Sequence, residues 1–249
     1  MCPARRPVCH HRTPQGGLER AWQSSPEHRH EKKALIGHFY RPGTLYTQAT
    51  VETWDHDFPS LAQGVVIPHG IYDLQRNRGY VTLGTSHDTS ECACDSLRQW
   101  WQADGQALYT DADALLLLGD GGGSNSARPY LFKADLEKLV QEIGLEIRVA
   151  HYPPYTSKDN PIEHRLFPPL TRACQGVICT SVDLVKDLMT KTTTKTGLEV
   201  TVSILDKVYA TGRKVAATFK EQMRVIFDDT LPQWHDRVLP GYTPIGEVI

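Results

Sequence analysis

The chain has 249 residues, 40% of them apolar and 22% charged, with a formal net charge of −2. That length buries a substantial core, as one large domain or two small ones, and the composition is that of a globular chain. No apolar run approaches the roughly 20 residues that span a bilayer, residues 1–15 lack the apolar stretch of a secretory signal, and the charge balance gives no support to a protein that grips phosphates with its whole surface.

Taken in chain order, residues 1–33 mix Pro, Arg, His, Gln and Ser without periodicity, and no order is expected of them. Ala34–Tyr40 is a short apolar run ended by the turn Arg41-Pro42-Gly43, and Asp55–Ser60 reads as a loop. Gly64–Ile71 is apolar but interrupted by Pro68, and Gly79–Gly84 reads as a strand. Asp88-Thr89-Ser90-Glu91 has the form of a capping box with Asp88 as N-cap, opening a helix to about Gln102 that presents Leu97, Trp100 and Trp101. Ala112–Leu118 reads as a buried strand running into Gly119-Asp120 and three glycines. A helix from about Ser126 to Ile143 carries an apolar stripe of Leu131, Leu136, Leu139, Val140 and Ile143 and stops at Gly144. Leu145–Ala150 is a further strand, and a helix begins near Asn160.

Strands alternating with helices after an initial run of strands predict an α/β fold with parallel central strands. The expected division is 1–30 without native order, 31–181 as the main α/β domain with an incomplete first strand, and 182–249 as a smaller β-prone extension. Within the last part, Lys186–Arg224 is richer in Lys and Arg than in acids, which makes it a candidate basic face or an ordinary solvated surface. The six cysteines read as reduced thiols of a cytosolic protein. Cys92 and Cys94 form a C-x-C pair, but a zinc site needs a second pair of ligands, so they are expected as small apolar side chains at a helix start.

Two carboxylates stand out. Asp120 ends a buried strand at the sheet edge where α/β ligands bind; it reads as a functional carboxylate or as a turn former. Glu163 follows Asn160-Pro161-Ile162, a good helix start, so it completes a capping box or serves as a metal ligand in the first turn. A helix, a strand and a Pro-Pro-Tyr-Thr-Ser loop separate the two, a layout that brings both over one end of a sheet. Mg²⁺ takes oxygen ligands of this kind, and a pair of such ions about 4 Å apart drives phosphoryl transfer, though it needs a further carboxylate.

His151–Ser157 followed by Asn160-Pro161-Ile162-Glu163-His164 resembles the third-acid block of DDE transposases related to the Tc/mariner group, and Leu115–Asn125 resembles their second-acid block. The blocks Asp55–Ser60, Ile67–Asp73, Gly84–Thr89 and Lys191–Val202 narrow the resemblance to the ISAzo-type bacterial insertion-sequence transposases, the Rhodopirellula-type transposase DDE domain, over about residues 30–240. The resemblance implies a ribonuclease-H-like mixed sheet flanked by helices, with Asp120 and Glu163 as the second and third catalytic acids and ligands of Mg²⁺ or Mn²⁺. It implies DNA as partner, both insertion-sequence ends and target, a homo-oligomer on that DNA, no membrane, and a bacterial cytoplasmic location. The first acid is missing: Lys32–Gly37 matches the stretch that follows it, and its position falls at or near Arg29, within Glu27–Glu31. Asp55 and Asp57 match other positions of the family, Asp88 already has a capping role, and Glu27 and Glu31 are near in sequence but sit in a segment of which no order is expected. Residues 1–28 show neither family character nor the N-terminal DNA-binding helices of such transposases, which predicts a truncated or decayed copy. A non-catalytic DNA-binding remnant and a metal-dependent nuclease of the same fold are the alternatives.

Overall fold

Asn77, at φ 52°, closes the turn of an antiparallel hairpin, while the Asp73 carboxylate accepts from the backbone N–H groups of Gln75 and Arg76. This hairpin joins β3 (Gly64–Asp73) to β4 (Arg78–Gly84) within the sheet. The computed structural model describes residues 18–23, 34–120, 130–153 and 156–241. On the other side of β3 lie β1 (Leu18–Gln23), paired with residues 70–72, and β2 (Ala34–Ile36), paired with residues 64–66. Pro68 falls in the gap between these two partners, where a missing N–H costs no ladder bond on that side.

Next come α1 (Ser90–Trp100), a π-helical turn at Trp101–Gly105, the single turn α2 (Gln106–Leu108), β5 (Ala114–Asp120), α3 (Tyr130–Ile143) and β6 (Glu146–Tyr152). Beyond them lie α4 (Pro161–Arg165), α5 (Phe167–Ala173), α6 (Val182–Thr190), β7 (Glu199–Leu205), α7 (Phe219–Gln222), β8 (Val225–Phe227) and β9 (His235–Val238). The main path across the sheet is β7-β4-β3-β1-β5-β6-β9-β8. β1, β5 and β6 are mutually parallel, and β3 runs against β1 and β4. This is the ribonuclease-H-like mixed sheet that the sequence led us to expect.

Strand alternation sends Ile71, Tyr80, Leu115, Leu117, Ile147 and Val149 to one face, under α1 and α3. Val66, Tyr72, Val81 and Leu83 go to the other, under α4, α5 and α6. Of the expected stripe on α3, Leu136, Leu139 and Val140 are buried, and Gly144 ends the helix at φ 71°.

Several expectations change. β1 lies inside residues 1–30, where no order was expected. Its sequence, Leu-Glu-Arg-Ala-Trp-Gln, carries no strong strand signal, but the slot between β3 and β5 would leave two rows of backbone donors and acceptors unpaired, so tertiary context decides. The N-cap of α1 is Thr89, whose hydroxyl accepts from the Cys92 N–H, and not Asp88. The Asp88 carboxylate lies instead 3.8 Å from Nε2 of buried His69. Residues 182–241 do not stand apart from the sheet. β7 adds to β4 in parallel, and β9 and β8 extend the opposite edge beyond β6. Cys92, Cys94, Cys174 and Cys179 are free, the first two buried in α1 as small apolar side chains.

Candidate active site

Asp120 is the last residue of β5 and Glu163 the third residue of α4. The register locates position 120 further. Leu18–Ala21 pair with Leu115–Leu118 in parallel, and one more step of two residues sets Gln23 level with Asp120. Gln23 also pairs with Gly70 of β3, and Asp120 with Tyr152 of β6. Directly paired positions share a face, so positions 23, 70, 120 and 152 occupy one face at one end of the sheet. Leu115 and Leu117 belong to the opposite face, so position 120 is on the side covered by α4 and α5.

The fold brings α4 to that end by packing. Ile162 and Leu166 are fully buried and Leu170 nearly so, an i, i+4, i+8 stripe that fixes α4 and α5 to the sheet. Two strand glycines make the room. A Cβ on Gly70 would meet the Phe167 ring at 3.0 Å, and one on Gly79 would meet Leu166 Cδ1 at 2.3 Å. Gly70 is itself level with Gln23, so the bend between α4 and α5 is seated over the row that contains positions 23 and 120. Pro161 opens the helix, and Pro168 and Pro169 open the next one, with Leu166 at the bend between them. The Glu163 N–H donates to the Asn160 carbonyl. Asn160 is the N-cap, but its side chain makes no capping bond; the amide is buried, and among the described residues neither its oxygen nor its nitrogen has a partner.

Burial pushes the hydroxyl of half-buried Tyr152 up from the usual tyrosine range, and the Asp159 carboxylate adds to the shift. Among the described residues, no group of three or more His, Cys, Asp or Glu side chains is disposed to hold a metal ion. Arg29, the aligned first-acid position, and the glycines at 121–123 lie outside the described residues. Of the residues at this end of the sheet, Gln23 carried no sequence signal, because nothing in its neighbourhood alternates or matches the family. Gly70 and Gly79 were legible only as glycines inside strands, which mark a close approach without saying of what.

Residues 29–240 match the family described as Rhodopirellula transposase DDE domain. The chain belongs to that family. No curated protein and no solved structure matches it. Membership in this transposase family implies DNA as the binding partner and polynucleotidyl transfer as the class of chemistry. No helix among the described residues is long and apolar enough to cross a membrane.

Proposed function

We propose that this transposase domain is built for metal-dependent cleavage and joining of insertion-sequence DNA, with Asp120 and Glu163 as its second and third acids, and that this copy does not complete the reaction. The observation that carries the reading is the register of β1: the position level with Asp120, on the same face, holds Gln23. A divalent cation bound there would activate a water or 3′-hydroxyl and stabilise the leaving oxygen. Carboxylates at 120 and 163 suit Mg²⁺ or Mn²⁺ in kind, since both ions take hard oxygen ligands. In number they fall short. An amide oxygen at position 23 is neutral, and a pair of cations there keeps one negative charge fewer than a third carboxylate would supply. Glu163 is held by a buried helix stripe and Asp120 by a central strand, so neither can shift far to compensate. Gln23, and not only Arg29, thus accounts for the missing first acid.

The same observation favours a second reading, a DNA-binding remnant without catalysis. Three proteins separate the two: the unmodified chain, Gln23→Asp, and Gln23→Asp with Asp120→Asn, each given insertion-end DNA and Mn²⁺. The expected result is no nicking by the first, metal-dependent nicking by the second and none by the third, with tighter Mn²⁺ uptake by Gln23→Asp in titration calorimetry. Strand transfer by the unmodified chain would overturn its assignment as inactive. DNA binding without nicking by any of the three would leave the remnant.

A further inference from the structure

Lys and Arg side chains fall into two groups. Many are spent on carboxylates: Lys207 bonds Glu91 and Asp95, Arg213 bonds Glu91 and Asp135, and Arg237 bonds Glu146. Lys207 and Arg213 belong to Lys186–Arg224, so part of that candidate basic face serves to strap the C-terminal segment onto α1 and α3. Lys158, Arg165 and Arg172 are different. All three are exposed, and none has a carboxylate partner among the described residues. The side of α4 and α5 opposite the buried Ile162–Leu166–Leu170 stripe carries His164, Arg165, Thr171 and Arg172, all exposed. The Lys158 carbonyl lies 2.8 Å from Nε2 of His164, which brings Lys158 to the same ridge. Arg165 ends α4 and Arg172 lies near the end of α5, so the two guanidinium groups are spread along consecutive helices of the same ridge, as contacts to successive phosphates of one strand require. Glu163 sits between Lys158 and Arg165 in the chain, at the edge of this ridge.

We propose that the outward ridge of α4 and α5, carrying Lys158, Arg165 and Arg172, is the track on which the phosphate backbone of one DNA strand lies beside Glu163. The inference rests on the transposase reading and adds to it the surface by which the DNA approaches. A chain with net charge −2 needs such a local concentration of unspent cations to hold a polyanion. Cations already bonded to carboxylates release few counterions from DNA, whereas unpaired ones release about 0.9 each per phosphate contacted.

The test is fluorescence anisotropy of a labelled 30-base-pair duplex between 50 and 200 mM KCl. It compares the full chain, the triple variant Lys158→Gln/Arg165→Gln/Arg172→Gln, and the control triple Lys186→Gln/Lys191→Gln/Lys195→Gln. Loss of three phosphate contacts makes the log–log salt slope less negative by about 2.7. Across that fourfold salt range the unmodified chain therefore loses about 40-fold more affinity than the ridge variant, by the same relation. The control keeps the unmodified slope. Far-UV circular dichroism confirms that both variants are folded. Binding with an unchanged slope in the ridge variant, or transfer of the loss to the control, overturns the proposal while the transposase reading stands. No DNA binding by the unmodified chain at any salt overturns both.

Discussion

Gly79→Ala perturbs the seat of α4 and α5 from the sheet face directly beneath Leu166. The added methyl would stand 2.3 Å from Leu166 Cδ1 and 3.4 Å from Cγ and Cδ2. Leu166 is fully buried, so it cannot swing into solvent. Overpacking of this kind costs about 1–3 kcal/mol, offset by about 0.5–1 kcal/mol from removing a glycine within a strand. Leu166→Ala alone opens a cavity and costs about 2–5 kcal/mol. In the double variant the methyl of residue 79 enters the space that Leu166 vacates, so the two losses do not add. The expected coupling is about 1–3 kcal/mol, the range for residues in direct contact. Urea unfolding of the four proteins measures it, with unchanged m-values showing that the unfolding reaction is the same. Additivity to within about 0.5 kcal/mol would refute the contact, and with it the account of how α4 and α5 are seated on the sheet.

Lys133 of α3 and Asp236 of β9 form an ion pair with both side chains buried; Asp236→Ala leaves an unpaired buried ammonium and should cost about 3–5 kcal/mol in the same urea assay. Asp95 is buried, and burial alone would raise its pKa, but hydrogen bonds from Lys207, Tyr209 and Arg98 hold it below the usual carboxylate value. A folded pKa below the unfolded one gives stability that is present above about pH 4 and lost as pH falls, so urea midpoints should drop between pH 5 and pH 3, and less steeply in Asp95→Asn. Burial pushes the Cys92 thiol up to about 12 and the Cys174 thiol up to about 11. Iodoacetamide at pH 8 should therefore leave both unmodified until the chain is unfolded, as read by mass spectrometry, because the thiolate is the reactive form.

Local patterns carried much of this protein in the sequence itself. The apolar run before Gly119-Asp120, the 3.6-residue stripe of Leu136, Leu139 and Val140, and the Asn160-Pro161 helix start each express a nearest-neighbour preference, and with the family blocks they led to the α/β order and to Asp120 and Glu163. Tertiary structure alone decided the rest, because it depends on contacts between distant segments. Leu18–Gln23 has too little strand character to be recognised, yet unpaired backbone on both β3 and β5 draws it into the central slot. Only that pairing sets Gln23 level with Asp120. Residues 199–205 and 225–238 look like an appendage in one dimension; the open edges of β4 and β6 make them the outer strands of the sheet. Thr89 rather than Asp88 caps α1: both residue types suit an N-cap, so the choice was left to the fold, which sets Asp88 beside His69 instead. Which cations remain free for DNA was equally beyond the sequence, since Lys207 and Arg213 find their carboxylates more than 70 residues away in the chain, at Glu91, Asp95 and Asp135.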